Sequence, residues 1–68
     1  MTTGARLTAL MEEKGVGVRE LHRRTGVSIT TIRKLRAGHL EGNLLTWTLV
    51  SRALGVGVGY FMDEEDWE

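Results

Sequence analysis

Residues 23–38 read RRTGVSITTIRKLRAG, and the organisation of the whole chain can be argued from this stretch. Gly26 interrupts it, and a glycine readily adopts the left-handed backbone conformation in which helices end. Ser28 follows, and a serine at this place can accept hydrogen bonds from the unpaired amides of a first helical turn. Because Gly38 supplies a second stop signal, the stretch predicts a helix over residues 29–37 after a short glycine turn.

The predicted helix has two different faces. Ile32 and Leu35 form a narrow apolar pair, and successive side chains turn by about 100° around a helix. If that pair points inward, the opposite face carries a polar and basic set, which is Thr30, Arg33, Lys34 and Ala37. The first turn is rich in β-branched residues, at a cost that packing of the apolar pair can offset.

A second short helix precedes the glycine turn. Over Val18–Arg24, Val18 and Leu21 point inward and the arginines point mostly outward. Two short helices joined through a glycine form the helix-turn-helix arrangement, whose second helix enters the major groove of DNA by its N-terminal end. Threonine suits that place, because it is compact, can donate or accept, and carries a methyl group that matches thymine. Arg33 can bind either a guanine edge or a phosphate.

Three further helices are predicted outside this motif. One covers about residues 4–13, one covers about residues 44–54 after the capping residue Asn43, and a last short one covers about residues 58–62. We therefore expect one all-α domain. The side chains expected in its core share helical spacing, and they are Leu7, Leu10, Met11, Val18, Leu21, Ile32, Leu35, Leu44, Trp47, Val50, Ala53, Leu54, Val58, Phe61 and Met62.

Size and composition exclude several classes of protein. The chain has 68 residues, enough for one domain, and no cysteine, so disulfides and thiolate metal sites are excluded. No stretch approaches the roughly 18 apolar residues of a membrane span, and the N-terminus lacks the apolar run of a signal peptide. We expect a cytoplasmic protein that is not an enzyme, with no metal site and no cofactor, since no nucleophile and base are suitably combined.

Charge is distributed unevenly along a chain whose net charge is zero. Residues 1–40 carry eight Lys and Arg against three Glu, a net of +5, and residues 41–68 carry one Arg against six acidic residues, a net of −5. Such asymmetry points to nucleic-acid binding by the basic part or to an acidic tail.

The chain resembles the Cro/C1 repressor-type helix-turn-helix family, an XRE-like group of small DNA-binding domains. The resemblance extends from Leu7 to Met62 and includes EEKGVGVRELHRRTGVSITTIRKLRAG and NLLTWTLVSRALGVGVGYFM. It implies five short helices in a lambda-repressor-like domain over residues 1–62, followed by an acidic tail over residues 63–68. It also implies a sequence-specific regulator of transcription, in particular a repressor. The residues that carry the resemblance are Leu21, Gly26, Val27, Ser28, Ile32, Leu35 and Gly38, then Ala53, Leu54, Gly55 and Val56.

The same resemblance implies which residues contact double-stranded DNA. Base contacts are expected from Ser28, Ile29, Thr30, Arg33 and Lys34. Phosphate contacts are expected from Arg19, Arg23, Thr31, Arg36 and His39.

A second interpretation stays open at this point. Val18 stands where the family usually has a glutamine, His22 where it has a small residue, and Arg36 where a glutamate is common. With a net charge of zero, the chain could instead be a protein-interaction module, an antitoxin or an adaptor, that kept the fold and lost operator binding.

A surface for self-association is also expected. Leu45 and Leu49 lie four residues apart on the fourth helix, near Tyr60, and exceed what a core of this size needs. They predict a homodimer or partner surface, and a dimer would read a palindromic operator with two recognition helices. The alternative is that Phe61 or Trp67 folds back over the two leucines.

Overall fold

A computed structural model describes residues 2–38 and 43–61 of the chain. Within these ranges the chain forms four α-helices and one short 3-10 helix, and no strand. The elements are α1 (Thr3–Lys14), α2 (Val18–Thr25), α3 (Ile29–Ala37), α4 (Leu44–Leu54) and the 3-10 helix (Val58–Tyr60).

The helix ends follow the capping residues of the sequence. Ser28 accepts a hydrogen bond from the Thr31 amide at 3.1 Å, and Asn43 accepts one from the Thr46 amide at 2.8 Å. Each α-helix is followed by a glycine with positive φ, and at Gly26 this angle is 77°. Because L side chains are strained in this conformation, Gly26 lets α2 stop and the chain turn into α3.

One core joins all the elements. Trp47 and Phe61 are its largest fully buried side chains, and their ring centroids lie 5.0 Å apart. Ser51 is the buried polar side chain of the described residues, and its hydroxyl donates to the Trp47 carbonyl at 2.6 Å. The buried apolar residues are Leu7, Leu10, Met11, Val16, Leu21, Ile32, Leu35, Trp47, Val50, Leu54 and Phe61.

Two predictions about the C-terminal half were wrong. The expected fifth helix is only the 3-10 turn Val58–Tyr60, flanked by Gly57 and containing Gly59, two residues that favour helices poorly. Leu44, expected in the core, is 55 % exposed because it occupies the first position of α4, beyond the packed part of that helix. Met62, also expected in the core, lies outside the described residues.

A close backbone approach joins α1 to α3. Gly4 is buried, and a Cβ atom placed on it would lie 2.6 Å from the Leu35 carbonyl oxygen and 2.8 Å from the Arg36 carbonyl oxygen. Contacts this short with backbone atoms cannot be relieved by a change of rotamer. Only a glycine at this position lets the first turn of α1 rest on the last turn of α3.

We therefore expect Gly4→Ala to destabilise the protein by about 1–3 kcal/mol, because overpacking outweighs the better helix propensity of alanine. Urea unfolding followed by circular dichroism measures the change. The matched control is Gly59→Ala, where an added Cβ meets no atom within 4 Å and φ is not positive. An unfolding free energy that rose for Gly4→Ala would contradict the close approach.

Candidate nucleic-acid interface

The outward face of α3 is open to solvent, as its periodicity predicts. Ile32 and Leu35 are buried against the core. On the other side of the helix, Thr30, Arg33, Lys34 and Ala37 are all exposed. Among the residues that the structure describes, the side chains of Arg33 and Lys34 take part in no hydrogen bond or ion pair. Two exposed cations and a small hydroxyl are thus available on one face of a helix.

The first turn of α3 has an internal hydrogen-bond network. The Ser28 hydroxyl accepts from the Thr31 amide and donates to the Thr31 side-chain oxygen at 2.8 Å. Ser28 is exposed, while Ile29 and Thr31 are half-buried. In this arrangement the hydroxyl hydrogen of Ser28 is already used, and that of Thr31 can be donated outward. The main role of Ser28 in this structure is therefore to cap α3.

A histidine holds the turn between α2 and α3. The His22 Nδ1 atom lies 2.7 Å from the Val27 carbonyl oxygen, so the ring donates a hydrogen bond across the turn. The Thr25 hydroxyl donates to the Leu21 carbonyl and accepts from the Val27 amide at 3.1 Å. The imidazole therefore adds a contact that fixes Val27, the residue before Ser28.

An acidic residue partly neutralises the basic side of α2. Glu20 forms ion pairs with Arg23 and with Arg24, the latter with a distance of 3.0 Å from Nε to Oε1. The hydrogen bond from Arg24, followed by that from Arg23, holds the pKa of Glu20 below its usual value. The stabilisation from these pairs is present above the ordinary pKa of a glutamate and is lost as the pH falls through the lowered pKa. Arg24 also donates to the Ala53 carbonyl at 3.3 Å.

Arg36 lies differently from the other predicted phosphate contacts. It is half-buried, and its Nε atom donates to the Thr8 hydroxyl of α1 at 3.3 Å. Beside this contact the surface has a shallow hollow lined by Thr8, Arg33, Arg36 and Ala37. Arg33 and Arg36 line the same hollow and so lie on the same side of the molecule.

The remaining predicted site residues have separate positions. Arg19 is exposed on α2, and His39 lies outside the described residues. Sequence reasoning did not identify Gly4, Thr8 or the pairing of Glu20 as parts of this region. The pairing of Glu20 could have been predicted from the sequence, because Arg23 and Arg24 lie three and four residues further along the same helix.

The predicted association surface is exposed. Leu45 is 67 % exposed, Leu49 36 % and Tyr60 46 %, and the exposed Leu44 adjoins them in sequence. Phe61 packs in the core and leaves both predicted leucines exposed, and Trp67 lies outside the described residues. The four apolar side chains, here called the leucine face, belong to α4 and the 3-10 helix rather than to α3.

Other kinds of site find no support in the part of the chain that is described. Residues 2–38 and 43–61 contain no group of three His, Cys, Asp or Glu side chains placed to hold a metal ion. None of the described helices has the length and apolar character needed to cross a bilayer.

We expect Glu20→Gln to strengthen binding to mixed-sequence duplex DNA about threefold to tenfold, because Arg23 and Arg24 become available to phosphates. The logarithmic salt dependence of the affinity should become steeper by about one to two. Fluorescence anisotropy at several salt concentrations measures both. The control Glu13→Gln removes the same charge from an exposed position on α1. Equal effects of the two substitutions would contradict a specific role of the ion pairs.

Comparison with known proteins agrees with this arrangement. The sequence pattern of the Cro/C1-type HTH DNA-binding domain matches residues 6–59, which include all four α-helices except the first residues of α1. No curated protein and no solved structure is significantly similar to the chain. The match spans most of the 68 residues and contains the glycine turn and the exposed face of α3. The chain belongs to the Cro/C1-type helix-turn-helix family of DNA-binding domains.

Proposed function

We propose that the protein is a sequence-specific regulator of transcription that binds double-stranded DNA in the major groove through α3. The observation that carries the proposal is the division of this helix into two faces. Ile32 and Leu35 anchor one face in the core, and the opposite face leaves Arg33 and Lys34 exposed. A helix that is anchored in the core by one face and exposes a basic opposite face fits the width of the major groove.

Base contacts are proposed for the outward and N-terminal side chains of α3. Arg33 can form two parallel hydrogen bonds with a guanine, and the Thr30 methyl can contact a thymine. Ile29 offers apolar contact from its half-buried position, and Lys34 reaches the same groove. Ser28 has one remaining acceptor position, because its oxygen accepts from the Thr31 amide and its hydrogen is donated to the Thr31 hydroxyl. These hydrogen bonds favour a lesser role in base contact for Ser28.

Phosphate contacts are proposed on both sides of the groove. Thr31 can donate its hydroxyl hydrogen to a phosphate, helped by the positive end of the helix dipole. Arg19 is exposed and can reach the backbone, and Arg23 can do so once Glu20 releases it. Arg36 can use its terminal nitrogens while Nε is bound to Thr8. His39, which lies outside the described residues, is proposed as a further phosphate contact.

A homodimer is proposed to bind a palindromic operator. The leucine face exposes four apolar side chains on α4 and the 3-10 helix, and burial of apolar surface drives association. In a two-fold dimer, two α3 helices placed about one DNA turn apart would read inverted half-sites. Occupation of such an operator would repress transcription by excluding the polymerase.

The second candidate function is a protein-interaction module, an antitoxin or an adaptor, on the same fold. Two observations favour it: the leucine face, and the engagement of Glu20 with two arginines that would otherwise bind phosphates. It differs from the first candidate in predicting weak binding to DNA that depends little on α3.

The combined substitution of Arg33→Ala and Lys34→Ala tests the proposed function. We expect it to weaken binding to duplex DNA by at least about tenfold, because two phosphate or base contacts are lost. The salt dependence should become shallower by about two if both cations contact phosphates. Titration at two salt concentrations by fluorescence anisotropy measures both quantities.

The matched control replaces two exposed cations outside α2 and α3, Lys14→Ala and Arg52→Ala, and removes the same charge. A double variant of α3 that binds no worse than this control would favour the protein-interaction module.

Leu45→Glu tests the dimer. We expect it to shift a dimer to a monomer, because a charge would be buried in the leucine face against its copy. Light scattering over a range of protein concentrations gives the molar mass. The control Ala9→Glu places the same charge at an exposed position on α1. A mass that Leu45→Glu does not change would remove the dimer from the proposal.

A further inference from the structure

The contact between α1 and α3 positions the DNA-facing helix from behind. Gly4 brings the first turn of α1 onto the carbonyl oxygens of Leu35 and Arg36, and a Cβ atom would approach these oxygens to 2.6 and 2.8 Å. A carbonyl oxygen belongs to the backbone and cannot rotate away. The separation of the two helices at this crossing is therefore set by the absence of a side chain at residue 4.

Thr8 connects the two helices one turn further along α1. Its hydroxyl donates to the Gly4 carbonyl at 3.0 Å and accepts a hydrogen bond from the Arg36 Nε atom at 3.3 Å. The one hydroxyl thus links the backbone of α1 with a side chain of α3. Both Thr8 and Arg36 are half-buried, so water competes for this link less than at an exposed site.

We propose that Gly4, Thr8 and Arg36, here called the α1–α3 link, are positioning residues that determine how well α3 discriminates between DNA sequences. This inference rests on the proposed function of α3 in base contact. The α1–α3 link holds the C-terminal end of the helix and so sets its direction. Thr8 and Gly4 lie on a different helix from every side chain proposed to contact a base.

Helix geometry gives the size of the effect. Thr30 and Arg36 are six residues apart, which is about 9 Å along the helix axis. A tilt of about 6° at the α1–α3 link would move Thr30 by about 1 Å. Hydrogen bonds to base edges keep their strength only over a few tenths of an ångström. A helix displaced by about 1 Å would therefore discriminate poorly between matched and mismatched DNA sites. Contacts with phosphates, governed mainly by charge, would change less.

Three roles of the link make different predictions. A positioning role lowers the ratio of the affinities for a selected duplex and a scrambled one. A phosphate contact by Arg36 lowers both affinities alike and makes the salt dependence shallower by about one. A purely structural role lowers the free energy of unfolding and leaves the affinity ratio of the folded protein unchanged.

The experiment compares Thr8→Val, which removes the hydroxyl and keeps the shape, with Thr8→Ser, which keeps the hydroxyl. Arg36→Met, which keeps much of the aliphatic stem, removes the other partner. Two readouts are taken below the unfolding temperature: the affinity ratio for selected and scrambled duplexes, and the angle between α1 and α3 in the DNA-free protein from residual dipolar couplings. We expect Thr8→Val to lower the ratio about tenfold and to change the angle, Thr8→Ser to retain both, and Arg36→Met to resemble Thr8→Val.

An unchanged angle in Thr8→Val would overturn the positioning role whether or not the protein binds DNA. If the unsubstituted protein discriminates between the two duplexes and Thr8→Val leaves the affinity ratio unchanged, the role in specificity is overturned. If the unsubstituted protein shows no preference for any duplex, the proposed function fails and the role in specificity fails with it. The angle then still decides whether the α1–α3 link orients the helix.

Discussion

The burial of Ile32 and Leu35 is the constraint on which the account depends. A helix of nine residues makes only about two and a half turns, so two inward side chains are enough to define which way it faces. With this pair in the core, Thr30, Arg33 and Lys34 must face solvent. Rotating α3 to hide its cations would expose two apolar side chains, at about 1.5–3 kcal/mol each.

The distribution of charge also distinguishes α3 from the neighbouring helix α2. The net charge of the chain is zero, so an attraction for DNA can come only from the local arrangement of charge. On α2, Glu20 engages Arg23 and Arg24, whereas nothing in the described part of the chain engages Arg33 or Lys34. The strongest unbalanced positive potential is therefore expected on α3. In the proposed function, long-range attraction and groove contact involve the same helix, which suits a small binding domain.

Much of the fold was predictable because its signals are local. Capping residues such as Ser28 and glycine stops such as Gly26 define helix ends through bonds within a few residues, so the four α-helices and the two faces of α3 followed from the sequence. The seam between α1 and α3 was not predictable, since a glycine inside a helix does not say which backbone it approaches. The 3-10 turn was mistaken for a helix because the apolar spacing of Val58, Phe61 and Met62 resembles that of a helical turn, which the neighbouring glycines do not sustain.

The selection of bound oligonucleotides from a random pool, performed with the unsubstituted protein and with the combined Arg33→Ala and Lys34→Ala variant, tests the central claim most directly. The account predicts that the unsubstituted protein enriches a defined sequence motif and that the variant loses this enrichment, because the outward face of α3 makes the base contacts. Enrichment of the same motif by both proteins, or of no motif by the unsubstituted protein, would contradict the account.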